Sequence, residues 1–294
     1  MIGGMSFAFV DAPLDRAEHL RNDSPALAAL WPQARLLLLD ADGLALADAD
    51  DGLLAVRGGD VAAALPPDAV FLGLDEGRGW FVMPAETVDL QAPRRIALRA
   101  AAAAWPVREA TAFAQARAVL HWRSRHRYCG ACGGELAFER AGWLGRCARC
   151  LIEHYPRTDP AVIVSVSDGA RLLLGREATW PAGRWSVLAG FVEPGETLEQ
   201  TVMREVFEES AVRVTACRYL GSQPWPFPSS LMLGFEADAE PDAPVPNTDE
   251  LEAVRWFTRE EIGAALRGDG AVQLSPPVSI SRWLIEHWYA GPRD

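Results

Sequence analysis

Four of the five cysteines in this 294-residue chain form two Cys-x-x-Cys pairs, Cys129/Cys132 and Cys147/Cys150, and Cys217 stands alone. If the residues between the pairs fold back as a short hairpin, the spacing brings four thiolates together. Four thiolates form the closed tetrahedral sphere that suits zinc. Gly130, Gly133 and Gly134 give the turns the freedom that close sulfur approach requires. A secreted disulfide scaffold would be smaller and would spread its bridges more widely. The expectation is one structural zinc per chain bracing a junction between domains; an iron site or chance spacing is the alternative. Arg123, Arg125, His126, Arg127, Arg146 and Arg149 make the region locally basic. That is either a solvated surface or a contact for substrate phosphates or an RNA end.

The cluster divides the chain. Before it, short apolar runs (Leu36–Leu39, Val70–Leu72) are broken by turn signals at Asp42-Gly43, Asp51-Gly52 and Gly58-Gly59, a strand-and-turn pattern without a catalytic constellation. This segment is read as a packing or dimerisation domain. Arg95 to Ser124 is alanine-rich and helical, with Leu98, Phe113, Ala116, Leu120 and Trp122 as core positions, and Pro106 splits it into two helices. After Pro156, Ala161–Val166 and Arg171–Leu174 flank Asp168-Gly169 as a hairpin. Strand-like runs Ala211–Ala216 and Leu231–Ala237, an acidic Pro-rich loop from Asp238 to Glu250, and a helix from Ser279 to about Tyr289 complete the chain. The expected division is an N-terminal α+β domain over 1–124, a zinc ribbon over 125–156 and a catalytic domain over 157–294.

A net charge of −12 opposes non-specific binding to long nucleic acids, which needs a basic surface. It does not oppose a phosphate substrate that arrives with a divalent cation. No apolar run is long enough to cross a bilayer, so no membrane partner is expected. Met1 to Val10 shows neither a basic n-region nor a following cleavage pattern, so the cytoplasm is the expected compartment.

The segment from Gly190 reads GFVEPGETLEQTVMREVFEESAV. Pro194-Gly195 supplies a turn, and Thr197 with Gln200 forms a capping box, which predicts a helix over Leu198 to Ser210. Glu205, Glu208 and Glu209 stand at i, i+3 and i+4, on one helix face. Three like charges that close repel unless a cation sits among them, and carboxylate oxygens suit Mg²⁺ or Mn²⁺. Such a centre can clamp a diphosphate and activate a water toward phosphorus. Glu196 precedes the helix and is placed to pair with Arg204. The plain alternative is a solvated helix face.

Gly190, Glu196, Arg204, Glu205, Val206, Glu208, Glu209 and Val212 together resemble the signature of the Nudix hydrolases, G-x5-E-x7-R-E-U-x-E-E-x-G-U, where U is an aliphatic residue. Ala211 stands where the family has Gly, from which a positive φ is not expected there. Ser222–Ser230 reads SQPWPFPSS. Three prolines stiffen it, Trp225 and Phe227 offer flat faces for a base or ring, and Gln223 and the serines offer hydrogen bonds. The alternative is a rigid loop burying its own aromatics. The array resembles that of the NADH pyrophosphatase subfamily, and with the four cysteines and the glutamate box the resemblance spans almost the whole chain.

The resemblance implies a Nudix α/β/α sandwich behind an N-terminal α+β domain and a zinc ribbon. It implies hydrolysis of NADH or NAD at the diphosphate to nicotinamide mononucleotide and AMP, removal of NAD caps from RNA 5′ ends by bacterial members, and a homodimer. Other Nudix substrates, ADP-ribose or dinucleoside polyphosphates, are the competing assignment. The implied Mg²⁺ or Mn²⁺ ligands are Glu205, Glu208, Glu209 and Glu250. The implied substrate contacts are Tyr155, Ala189, Phe191, Gln223, Pro224, Trp225, Pro226, Phe227, Pro228, Ser229, Ser230 and Ser281. Phe191 is read as stacking on the nicotinamide, with Tyr155 from the other subunit on its far side. Arg99 matches an arginine contact. A glutamate contact of the family falls on Gly142, and the neighbouring Glu139 is the candidate to replace it.

Overall fold

The computed structural model describes residues 7–291. The opening segment read as lacking a leader therefore lies outside the described residues as far as residue 6. The chain forms two units, residues 8–158 with 225–229, and residue 7 with 159–224 and 230–291. The ribbon clusters with the N-terminal half.

In the first unit, the apolar runs become strands because β-branched and leucine side chains alternate across a pleated sheet buried on both faces. The strands are β1 (Arg35–Leu39), β2 (Ala45–Ala47), β3 (Val56–Arg57), β4 (Val70–Asp75), β5 (Arg78–Pro84) and β6 (Arg94–Ile96), in the order β4-β5-β1-β2-β6 with β3 paired to β1. Helices α1 (Ser24–Leu30), α2 (Gly58–Val61), α3 (Leu98–Ala104) and α4 (Val107–Arg125) accompany them. Gly58-Gly59, read as a turn, begins the short α2. Pro106 does separate two helices, and it caps the second. Leu37, Leu39, Val70, Leu72 and Val82 face Leu98, Phe113, Ala116 and Trp122 in one core, whereas Leu36, Leu38, Phe71 and Phe81 face Leu27 and Trp31 in another. Leu120 only borders the first core. The ribbon is a three-stranded sheet of β7 (Leu136–Glu139), β8 (Leu144–Cys147) and β9 (Glu153–His154).

The second unit is built on a mixed sheet. Its strands β10 (Asp159–Ser167), β11 (Arg171–Arg176), β12 (Leu188–Phe191), β13 (Val214–Trp225), β14 (Ser230–Ala239) and β15 (Ala253–Thr258) run in the order β13-β14-β10-β11-β15, with β12 on β10. The β10–β11 hairpin turns at Asp168-Gly169 as expected, and Val166 faces Leu173. Along β10, Val162, Val164 and Val166 pack with Val202 and Val206 of α5 (Leu198–Ser210). On the opposite face, the Trp288 indole of α7 (Ile280–Ala290) reaches Ser167 Oγ at 3.0 Å. The helix α6 (Arg259–Arg267) precedes α7. Helices thus cover both faces of the sheet, as in the expected α/β/α sandwich. The stretch read as a stiff loop at Ser222–Ser230 is strand β13 as far as Trp225 and strand again from Ser230.

The helix carrying the glutamates begins at Thr197, whose side chain accepts from Gln200 N–H while Gln200 returns the bond. It ends on Ala211 at φ 57°, ψ 14°, in the left-handed region. This corrects the expectation of an ordinary φ there, and it moves the start of the next strand from Ala211 to Val214. A Cβ in that region is crowded by its own backbone, at a cost of about 1–2 kcal/mol. Ala211→Gly should therefore raise stability by up to about 1 kcal/mol after glycine's larger entropy loss is deducted. Urea unfolding checks this, and an unchanged or lowered midpoint contradicts it.

Candidate active site

Strand β12 ends beside the middle of α5, at Arg204 and Glu205, and that approach is possible only with glycine at Gly190. A Cβ there would collide with the Glu205 carboxylate. Arg204 organises the surrounding acids. Its Nε lies 2.6 Å from Glu196 Oε1, its Nη1 lies 3.0 Å from both Glu205 Oε1 and Glu208 Oε2, and its Nη2 donates to the Phe191 carbonyl at 3.0 Å. Glu196 also accepts from Glu193 N–H and Thr201 Oγ1. These bonds, Arg204's first, hold the Glu196 carboxyl down at about 2. The expected Glu196–Arg204 pair is present, and it fixes the turn before the helix to the helix itself.

The three helix glutamates do not share one environment. Glu208 points outward, with its side chain 52% exposed, onto Arg204. Glu209 is only 7% exposed, and its Oε2 has no hydrogen-bond donor among the described residues. The Ala189 backbone N–H donates to its carboxylate. Burial chiefly, then the charges of Glu205, Glu250 and Glu177, push the Glu209 carboxyl up to about 8. Glu205 is also raised, first by burial, despite its contact with Arg204. A buried oxygen without a donor among acidic groups is the donor set of a hard divalent cation, and these residues fit Mg²⁺ or Mn²⁺. Glu177 was missed in the sequence because it lies far from the box; nothing in its own surroundings there marks it.

The other expected contacts divide. Phe191 and Tyr155 are 58% and 56% exposed. Tyr155 donates its hydroxyl to Glu153. Gln223 is fully buried, and its amide is used inside the protein, Nε2 donating to the Val278 carbonyl at 2.8 Å and Oε1 accepting from Ile280 N–H at 2.9 Å. Ser281 is buried as well, 2.8 Å from Ser186 Oγ. Ser230 is buried in β14. Trp225 and Phe227 tilt against each other at 4.8 Å and border the N-terminal core. Arg99 lies 5.1 and 4.5 Å over these two rings, Arg117 lies 5.0 Å over Phe227, and Arg117 donates to the Pro226 carbonyl. The Pro226–Ser229 turn, with Pro228 cis, joins the two strands.

The four cysteine Sγ atoms lie within 4.8 Å of one another, a zinc-binding cluster. Gly134 passes so close that a Cβ would stand 3.0 Å from Cys147 Sγ. His154 Nε2, which sequence reasoning did not single out, is 3.3 Å from Cys129 Sγ. Four members of the basic patch are engaged internally, His126 Nδ1 lying 3.0 Å from the Trp122 carbonyl. Arg123 covers Phe138 and donates to the Asp68 carbonyl, Arg146 binds Glu139 and Glu153, and Arg149 donates to the Cys132 carbonyl. Gly142 sits at φ 92° with Val70 where a side chain would go, and Arg146 holds Glu139.

A NUDIX domain model matches residues 156–276, an NADH pyrophosphatase zinc ribbon model residues 124–155, and an NADH pyrophosphatase-like rudimentary NUDIX model residues 20–122. The chain is 39% identical over 317 residues, 98% of each protein, to the NAD-capped RNA hydrolase NudC of Mycobacterium bovis BCG. It is 43% identical over 193 residues, 62% of this chain and 42% of the other, to the human NAD-capped RNA hydrolase NUDT12. A NUDIX hydrolase structure from Nitrosomonas europaea is 28% identical with TM-score 0.41, covering 50% of this chain and 97% of that one.

The raised Glu209 carboxyl has a consequence for stability. Its folded pKa of about 8 lies above the roughly 4.3 of an unfolded glutamate. The stability it contributes is therefore full below about pH 4.3 and is lost as pH rises through about 8. Without added divalent cation, the thermal midpoint should fall between about pH 5 and pH 9, and Glu209→Gln should remove that part of the fall. The same pH dependence in both proteins would contradict the burial described.

Proposed function

The chain belongs to the Nudix hydrolase family, related to NAD-capped RNA hydrolases and carrying their zinc ribbon, and from that premise we propose that it hydrolyses the diphosphate of an NAD group. Glu209 carries this reading, as a buried carboxylate with an unpartnered oxygen beside Glu205 and Glu250. A divalent cation bound there supplies charge neutralisation at the diphosphate and acidifies water. The chain's part is to hold that centre rigid. Arg204 ties Glu196, Glu205 and Glu208 to one guanidinium, which fixes where these carboxylates stand relative to one another. Hydrolysis breaks one P–O bond of the anhydride and leaves the water oxygen on phosphorus, giving nicotinamide mononucleotide and a 5′-monophosphate end.

The names of the relatives support NAD-capped RNA as the first substrate to test, with free NADH or NAD as the second. The second reading is favoured by the chain's net charge of −12 and by the internal engagement of Arg123, Arg146 and Arg149. Phe191 is the ring-stacking group beside the box, and Tyr155 of the second chain in a homodimer is its counterpart. Gln223 and Ser281 serve by position, bracing β13 and α7, and the Trp225–Phe227 pair shapes the turn under Arg99.

Glu209→Gln keeps the side chain's size and removes its charge, so the fold should persist while activity falls by roughly 10²–10³. Glu199→Gln, in the first turn of the same helix, should retain full activity. Products from NAD-capped RNA, NADH and ADP-ribose, identified by mass with Mg²⁺ present, check both substrate and variant effects. Equal activity of the two variants would contradict the carboxylate centre, and cleavage of ADP-ribose alone would contradict the substrate.

A further inference from the structure

Glu177 follows β11 directly, and sheet register fixes where it emerges. Strand β11 runs antiparallel to β15 with Arg176 opposite Ala253, and Glu252 N–H donates to the Arg176 carbonyl at 2.9 Å. The segment leaving β11 and the segment entering β15 therefore lie side by side at one end of the sheet. Glu177 is on the first and Glu250 on the second. That end is also tied to α5. Asn247 N–H donates to the Glu209 carbonyl at 3.1 Å, and Glu250 and Leu251 N–H donate to the Asn247 carbonyl at 3.0 and 2.7 Å.

The Glu177 backbone is held, its carbonyl accepting from Trp180 N–H at 3.2 Å, whereas among the described residues its carboxylate receives only a long 3.4 Å bond from Thr179 Oγ1. Neighbouring Arg176 does not neutralise that carboxylate; its Nε pairs with Glu252 at 2.7 Å. Glu177 is one of the three carboxylates whose charge bears on Glu209. Glu209 itself is more than nine-tenths buried with Oε2 lacking a donor, which marks this acidic group as a ligand site and not a solvated surface.

Charge balance favours the same conclusion. Arg204 serves Glu196, Glu208 and one oxygen of Glu205, and among the described residues no Lys, Arg or His pairs with Glu177, Glu209 or Glu250. A diphosphate brought to them adds further negative charge, so every carboxylate facing the centre is needed to hold the cations that offset it. We propose that Glu177 is a further ligand of the divalent-cation centre, holding it from the β11 side directly or through one of the cation's waters. This rests on the reading of Glu205, Glu209 and Glu250 as that centre.

Titration of the full chain with Mn²⁺, read by the electron paramagnetic resonance of the free ion, tests the assignment without reference to activity. Glu177→Gln and Glu177→Ala should weaken Mn²⁺ binding by about 10-fold or more. Glu252→Gln, which removes only the partner of Arg176, should leave the isotherm unchanged. If both Glu177 variants superpose on the wild type while Glu209→Gln weakens binding, the assignment of Glu177 is overturned and the centre stands. If Glu209→Gln superposes as well, the centre itself is overturned.

Discussion

A carboxylate removed from water among other carboxylates must take up a proton, accept donors or bind a cation, because an uncompensated buried ion costs several kcal/mol. Among the described residues Glu209 has the Ala189 N–H as its donor, and the charges that bear on it are those of Glu205, Glu250 and Glu177. The rest of the catalytic unit can be understood from that position. Strand β12 must approach closely enough to present the amide, Gly190 must leave room for Glu205, and Ala211 must turn back at a positive φ directly after the helix. Each local cost is tolerated because it holds the acid group together.

Arg204 separates the glutamates into two kinds. Glu196 and Glu208 are satisfied by its guanidinium and act as struts between the turn and the helix. Glu209, with the charges of Glu250 and Glu177 bearing on it, has no such partner among the described residues, and that lack is what the proposed cation supplies. A single helix thus carries both the brace, Arg204 with Glu208, and the buried Glu209 of the proposed centre. The zinc cluster solves a different problem in the other unit. Three short strands have little core of their own, and the four sulfurs close the ribbon where apolar burial does not.

Much of this was legible in the chain. The helix bounds followed from Thr197 and Gln200, the two-helix split from Pro106, the hairpin from Asp168-Gly169 and the zinc ligands from their spacing, because each rests on local chemistry. What failed was tertiary. The prolines of SQPWPFPSS suggested a loop, but Pro224 sits within β13 near its end, and the buried Gln223 amide is held by Val278 and Ile280, residues far along the chain. The i, i+3, i+4 spacing put Glu208 with Glu209, yet Arg204 draws Glu208 outward. Ala211 was read from its residue type, whereas its φ is set by where the chain must go after α5. Glu177 carries no local mark and is brought in only by the pairing of β11 with β15.

If Glu209 holds a proton near neutrality and gives it up to a cation, binding of Mg²⁺ must release that proton. Calorimetric titration of the chain with Mg²⁺ at pH 7, repeated in buffers of different ionisation enthalpy, counts it directly. The account predicts release of about one proton per chain in the wild type and its loss in Glu209→Gln. A binding enthalpy that does not depend on the buffer in the wild type would contradict it.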